Sequence, residues 1–199
     1  PKEPTLPWAA LPSTAFQSIL SAAKGAWAYW ITNMVDAPVW SRDGIGIMTF
    51  NNPERHNAVS MEMWVAAEKI LADFAADDAV RVVVITGAGG KAFVSGADIS
   101  KFESERASAD AVAAYGAQTA KVYDGLYKFA KPTIAMVRGH CIGGGTALAV
   151  ACDLRIANDG ATFGIPAAKL GLGYGMSGIE KLTALVGLER SLATPSVPA

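Results

Sequence analysis

The chain has 199 residues, 51% of them hydrophobic, which suffices for one sizeable core and falls short of two separate ones. Its 17 Lys and Arg stand against 18 Asp and Glu, a formal charge of -1, so no whole-chain field draws in a nucleic acid backbone or an anionic membrane. Any binding site has to be argued locally.

Residues 1–34 read as an N-terminal tail with a possible extra helix, and residues 35–199 as the folded body. The four prolines of the first twelve residues give the tail its linker character. Phe16, Ile19, Leu20, Ala23, Trp27, Trp30 and Ile31 then fall on one face of a helix. Gln17 and Lys24 interrupt that segment, which is too short to span a bilayer.

Asp43-Gly44, between Pro38–Trp40 and Ile45–Phe50, is a hairpin signal. Ser60 can cap a helix whose apolar positions Trp64, Ala67, Leu71 and Phe74 keep the 3.6 period until Asp77-Asp78. The run Val80–Thr86 is almost wholly apolar and β-branched, the pattern of a strand buried on both faces. Val112, Tyr115, Thr119, Val122, Leu126 and Phe129 step by three and four, predicting a long helix stopped by Lys131-Pro132. A second buried strand is expected over Thr133–Val137, a short buried helix over Thr146–Cys152 and a third strand over Leu154–Ala157. Strand, loop and helix recurring three times predict an α/β fold of stacked turns.

Cys141 and Cys152 both fall in a stretch that reads as a loop running into one helix, where they could not bridge. A reducing compartment is the simpler expectation, and the chain is read as cytoplasmic. Two histidines and no ligand spacing among His, Cys and Asp give no reason to expect a metal.

Two glycine-bearing segments carry the chemistry. In the first, Gly87-x-Gly89-x-x-Ala92 follows a strand and matches the loose dinucleotide fingerprint. That fingerprint needs a helix to start inside the glycines, whereas Phe93-Val94-Ser95-Gly96 continues as an apolar, extended or looping run. The second, Arg138–Gly145, repeats the layout of buried strand, glycines and helix. Glycine permits close approach of a backbone, and a helix N-terminus leaves N–H donors unpaired. Two such loops facing each other would make an oxyanion hole; tight helix packing is the plainer alternative.

Asn52-Pro53-Glu54-Arg55-His56-Asn57-Ala58, Ser95-Gly96-Ala97-Asp98-Ile99, Gly143-Gly144-Gly145 and Cys152-Asp153-Leu154-Arg155-Ile156-Ala157, in that order and spacing, resemble the enoyl-CoA hydratase/isomerase (crotonase) family over about Val39–Val186. The resemblance implies a crotonase-like spiral of ββα turns, assembled as a homotrimer or a dimer of trimers. It implies an acyl-CoA thioester as partner, with coenzyme A entering as part of the substrate and no separate cofactor. The thioester oxygen would be held by the N–H groups of Ala97 and Gly144. Coenzyme A contacts would fall on His56, Ala58, Ser95, Asp98 and Ile99, with Gly143, Ala147, Pro166 and Ala167 completing the substrate-binding set. Asp98 is expected to cap the turn after Ala97, and His140, beside the glycines, either to pack or to support the residues that contact the ligand.

The chain departs from the family where a hydratase carries two glutamates. Those positions read Ala147 and Ala167, neither of which can move a proton. Lys169 and Glu180 nearby fit a solvated face. Tyr174, in Leu170-Gly171-Leu172-Gly173-Tyr174, is the remaining candidate and resembles a tyrosine of the family's methylmalonyl-CoA decarboxylase, though that enzyme has a histidine where this chain has Ala97. Family members continue through further helices, so a C-terminal helical layer is expected to be missing here. Three readings follow: an enolate-stabilising lyase or isomerase, a catalytically silent acyl-CoA binder, and a nicotinamide-binding domain.

Overall fold

The computed structural model describes residues 28–31, 44–101, 107–167 and 176–193. A sheet of five parallel strands runs in the order β1 (Ala28–Ile31), β2 (Ile45–Phe50), β3 (Val82–Gly87), β5 (Thr133–Val137), β7 (Leu154–Ala157). A second sheet of three short parallel strands is formed by β4 (Ala92–Val94), β6 (His140–Ile142) and β8 (Thr162–Gly164). From β3 onward each circuit of the chain adds one strand to each sheet, and the turns stack as the expected spiral. Among the described residues the α-helices are α1 (Met61–Ala76), α2 (Ala109–Tyr127), α3 (Gly144–Ala151), α4 (Met176–Val186) and α5 (Leu188–Ala193). Among the described residues, no helix is long and apolar enough to cross a membrane.

Strands β2, β3 and β5 of the large sheet are buried on both faces, as their apolar runs predict. Met48, Phe50, Val83 and Ile85 point into the main core, while Ile47, Val84 and Met136 form a second cluster. The main core holds the face of α1 read from the sequence: Trp64, Ala67, Leu71 and Phe74 are all buried. Burying a leucine or phenylalanine side chain such as Leu71 or Phe74 stabilises by about 1.5–3 kcal/mol. Ser60 caps α1, its hydroxyl accepting from the Met63 N–H. At the other end, Lys131 Nζ donates to the carbonyls of Phe74 and Asp77, each at 2.7 Å, satisfying carbonyls the helix leaves free.

The Cys152–Ala157 motif proves to be a seam. Asp153 accepts from the Thr133 amide and hydroxyl at 2.8 Å, joining the starts of β5 and β7. Arg155 donates to the carbonyls of Ala149 and Cys152 and so closes the end of α3.

Four expectations are corrected. The helix read over Phe16–Ile31 gives way at its end to strand β1, whose aromatic and β-branched residues Tyr29, Trp30 and Ile31 suit a pleated surface; the remainder lies outside the described residues. The hairpin partner Pro38–Trp40 also lies outside them, and β2 lies between two parallel neighbours, β1 and β3. Cys141 and Cys152 sit on different elements, β6 and the end of α3, and both are buried free thiols. Val112 is half exposed because α2 begins at Ala109 and turns Tyr115, Val122 and Leu126 inward instead.

Candidate active site

Strand β4 ends at Val94, and Ser95-Gly96-Ala97 then crosses to the segment preceding α1. A parallel bridge joins Ala97 to Val59: the Val59 N–H donates to the Gly96 carbonyl at 2.8 Å, and the Asp98 N–H donates to the Val59 carbonyl at 3.0 Å. Because the flanking groups face Val59, the N–H of Ala97 itself points away from it. Gly96 takes φ +100°, a conformation that favours glycine and lets the turn form.

The second turn comes from β6. Gly143, at φ +55°, donates its N–H to the Gly164 carbonyl at 2.8 Å, and α3 starts at the next residue. A glycine N-cap supplies no side-chain acceptor, so the first N–H groups of α3, beginning with that of Gly144, are left unsatisfied by the helix. Gly145 must be glycine for another reason: a Cβ there would lie 1.9 Å from the Val94 carbonyl oxygen.

The two turns touch. A Cβ placed on Gly96 would stand 3.4 Å from the Gly144 nitrogen, and one placed on Gly144 would stand 3.5 Å from Gly96 Cα. No side chain separates them. The turn that carries Ala97 and the start of α3 therefore adjoin, and a helix N-terminus of this kind favours negative charge.

The residues expected to contact coenzyme A gather around the first turn. His56, in the left-handed region at φ 52°, accepts from the Ser95 N–H through its carbonyl at 3.1 Å. The Ser95 hydroxyl donates to the Arg55 carbonyl at 3.3 Å. Ala58 is buried and its carbonyl accepts from Asn52 Nδ2. Ile99 is 62% exposed, an apolar side chain open to solvent beside the turn. Asp98 is buried and does cap the turn after Ala97, accepting from the Ser100 amide and hydroxyl at 3.1 and 2.7 Å and from Arg55 at 3.2 Å. Burial raises its carboxyl pKa, but the Ser100 hydrogen bonds and the Arg55 guanidinium more than offset this and hold it below the ordinary carboxylate value.

Ala147 lies one turn along α3 from Gly144, on the same side of the helix. Pro166 and Ala167 follow β8, whose Gly164 carbonyl anchors Gly143. Tyr174 and Lys169 lie outside the described residues, and Glu180 is exposed. His140 is exposed: its Nδ1 pairs with the Thr162 hydroxyl at 2.8 Å, and its ring stacks near-parallel to His56 with centroids 5.9 Å apart. After β3 the fingerprint glycines lead through a turn into β4 and not into a helix, so they lack the helix N-terminus that a dinucleotide pyrophosphate requires. Among the described residues, no three His, Cys, Asp or Glu side chains gather as metal ligands.

Two residues of the site were not singled out from the sequence. Asn57, fully buried, donates to the carbonyls of Ala88 and Ala92 at 2.9 and 2.8 Å and accepts from the Asn52 N–H at 2.9 Å, pinning the loop that carries His56 to the base of β4. Tyr123, on α2, brings its hydroxyl to the Gly144 carbonyl. A separate apolar cavity of about 370 Å³ opens on the opposite face of α3, lined by Thr146, Val150, Phe163 and Leu182 among others, and none of the expected site residues lines it.

The family profile described as enoyl-CoA hydratase/isomerase matches residues 41–193. The chain belongs to the enoyl-CoA hydratase/isomerase family. Among curated relatives, it is 36% identical over 144 residues to the short-chain-enoyl-CoA hydratase of Clostridium acetobutylicum, covering 72% of this chain and 54% of that protein. It is also 36% identical over 143 residues to the crotonyl-CoA hydratase of Syntrophomonas wolfei, with the same coverage, 72% and 54%. Among solved structures, an enoyl-CoA hydratase from Bacillus anthracis superposes with a TM-score of 0.75 at 27% identity, over 81% of this chain and 62% of that one. An enoyl-CoA hydratase/carnithine racemase from Magnetospirillum magneticum gives 0.73 at 34% identity, over 77% and 58%. The chain therefore has the crotonase fold, and it spans about half the length of the curated relatives it matches.

Proposed function

We propose that this protein binds an acyl-CoA thioester and stabilises its enolate, with the thioester oxygen accepting from the N–H groups of Ala97 and Gly144. The observation that carries this reading is the contact between the turns of Gly96 and Gly144, with the Ala97 N–H turned away from Val59 and Gly144 at the uncapped start of α3. Each donor of such a pair is worth about 2.7–4 kcal/mol of transition-state stabilisation. The names of the relatives, short-chain-enoyl-CoA hydratase and crotonyl-CoA hydratase, support a CoA thioester as the ligand. His56, Ala58, Ser95, Asp98 and Ile99 would line the coenzyme A side, and Gly143, Ala147, Pro166 and Ala167 the acyl side. Coenzyme A arrives with the substrate, no further cofactor is needed, and a trimer or a pair of trimers is the proposed assembly.

Alanine at 147 and 167 fits a reaction that makes the enolate without a carboxylate base. Loss of carbon dioxide from a 2-carboxyacyl thioester does this. The bond between the carboxylate and the α-carbon breaks, its electron pair moves into the enolate held by the two N–H groups, and a proton then adds to the α-carbon. Tyr174 would supply that proton and regain one from water. The same two alanines also favour a second reading, a catalytically silent acyl-CoA binder.

Incubation with enoyl-, malonyl- and 3-oxoacyl-CoA thioesters, with products followed by mass, tests the proposal. A malonyl-type thioester should lose the mass of carbon dioxide. Binding without any product assigns the silent role, and absence of binding to all three classes contradicts both readings.

A further inference from the structure

We infer that Tyr123 is a positioning residue that fixes the aim of the Gly144 amide; the inference rests on the oxyanion role proposed above. Gly144 lacks the usual means of being held. Its N-cap is a glycine at φ +55° with no side-chain hydrogen bond, and neither residue has a side chain to pack. The fold ties it from three directions instead. Behind it, Gly143 is held by the Gly164 carbonyl at 2.8 Å. Beneath it, Gly145 lies against the Val94 carbonyl. From the α2 side, the Tyr123 hydroxyl donates to the Gly144 carbonyl at 3.4 Å, and among the described residues no other side-chain polar atom is bonded to that carbonyl.

The Tyr123 contact is close enough to explain the residue it meets. A Cβ on Gly144 would stand 2.9 Å from the Tyr123 hydroxyl oxygen while also lying 3.5 Å from Gly96 Cα, so Gly144 is wedged between the tyrosine and the first turn. Together with the Ala147 N–H donating to the Gly143 carbonyl at 3.1 Å, the tyrosine ties the peptides on both sides of Gly144 Cα. Tyr123 is itself set by the core: its ring meets Trp64 edge-on at 5.4 Å, Trp64 meets Phe50 at 6.1 Å, and Trp64 Nε1 donates to the Tyr115 hydroxyl at 2.9 Å. A path of packed aromatics thus leads from the centre of the fold to one donor of the proposed site. Preorganised donors act only when held close to their productive geometry, which is what such a support supplies.

The test compares acetoacetyl-CoA, whose 1,3-dicarbonyl ionises to an enolate, with butyryl-CoA, which does not ionise, by calorimetry and by the enolate absorbance. Tyr123→Phe keeps the ring and removes only the hydroxyl. It should weaken enolate binding by about fivefold and leave butyryl-CoA affinity within about twofold. Gly144→Ala should lose enolate binding by tenfold or more, on the order of one displaced donor. Adding Tyr123→Phe to Gly144→Ala makes room for the methyl group and should restore at least about threefold of that loss. Wild-type preference for the enolate, with Tyr123→Phe indistinguishable from wild type and no rescue of Gly144→Ala, overturns the inference while leaving the oxyanion reading intact. A Tyr123→Phe chain that fails to fold assigns the hydroxyl to the core and likewise overturns it. A wild-type protein with no preference for the enolate removes the oxyanion reading itself.

Discussion

Gly96 and Gly144, distant in sequence, lie so close that a Cβ on the first would be 3.4 Å from the nitrogen of the second. Gly96 also takes φ +100°, where an L side chain is strained, and its Cβ would be 3.3 Å from the Ile142 carbonyl. Gly96→Ala should therefore cost about 1–3 kcal/mol of stability. It should also separate the two turns, so acyl-CoA affinity falls further than the loss of stability requires. Urea unfolding and calorimetric binding on one preparation measure both.

Gly145→Ala is the harsher change. Its Cβ would fall 1.9 Å from the Val94 carbonyl oxygen and 2.8 Å from the carbonyl carbon, and backbone cannot yield as a side chain can. A loss of about 3 kcal/mol or more is expected, on the scale of overpacking a tight core. By contrast, among the described residues no heavy atom beyond its chain neighbours lies within 4 Å of a Cβ on Gly143, so Gly143→Ala should suffer mainly from its φ of +55° and stay folded.

Asn57→Ala removes three hydrogen bonds, two of them buried, and leaves the Ala88 and Ala92 carbonyls without their side-chain donor. With each orphaned buried group costing about 1–3 kcal/mol, a loss of about 3 kcal/mol is expected, read as a lowered midpoint in urea at unchanged slope.

Asp98 gives the site a pH signature. Its folded pKa lies below the ordinary value, so its contribution to stability is present above about pH 4 and is lost as pH falls through the folded value. At pH 7, Asp98→Asn should cost about 1–2 kcal/mol, mostly from the Ser100 hydrogen bonds, because the Arg55 partner is 54% exposed and screened. The gap between wild type and variant should stay constant from pH 8 to pH 5 and narrow below pH 4, about where a free carboxylate titrates. A gap that widens on acidification would contradict the assignment.

The two cysteines should be inert in the folded chain. Burial pushes the Cys152 thiol up to about 12 and Cys141 higher, leaving almost no thiolate at neutral pH. A thiol reagent should label both only after unfolding. Rapid labelling of the native protein would contradict their burial.

Where the sequence is explicit, local pattern and tertiary demand coincide. Strands β3 and β5 are long apolar runs, and Ser60 precedes a clean helical period, so each is legible alone. Strands β4, β6 and β8 have three residues each, too few to show any period, and exist only because they pair with one another. Tyr29, Trp30 and Ile31 fit the end of a helical stripe as well as a strand, and the free edge of β2 decided between them. At the site, the glycine turns were legible because glycine advertises unusual backbone. Tyr123 was not: it looks like one more apolar position on α2, and its meaning appears only when α2 lies across the start of α3. Asn57 stood in a recognisable motif, but its role needs Ala88 and Ala92, which the fold brings to it.

A crystal structure of the protein with butyryl-CoA bound will show whether one ligand oxygen meets both backbone donors. The thioester oxygen should lie about 2.7–3.1 Å from the nitrogens of both Ala97 and Gly144. A bound thioester whose oxygen touches only one of them, or neither, would contradict the account.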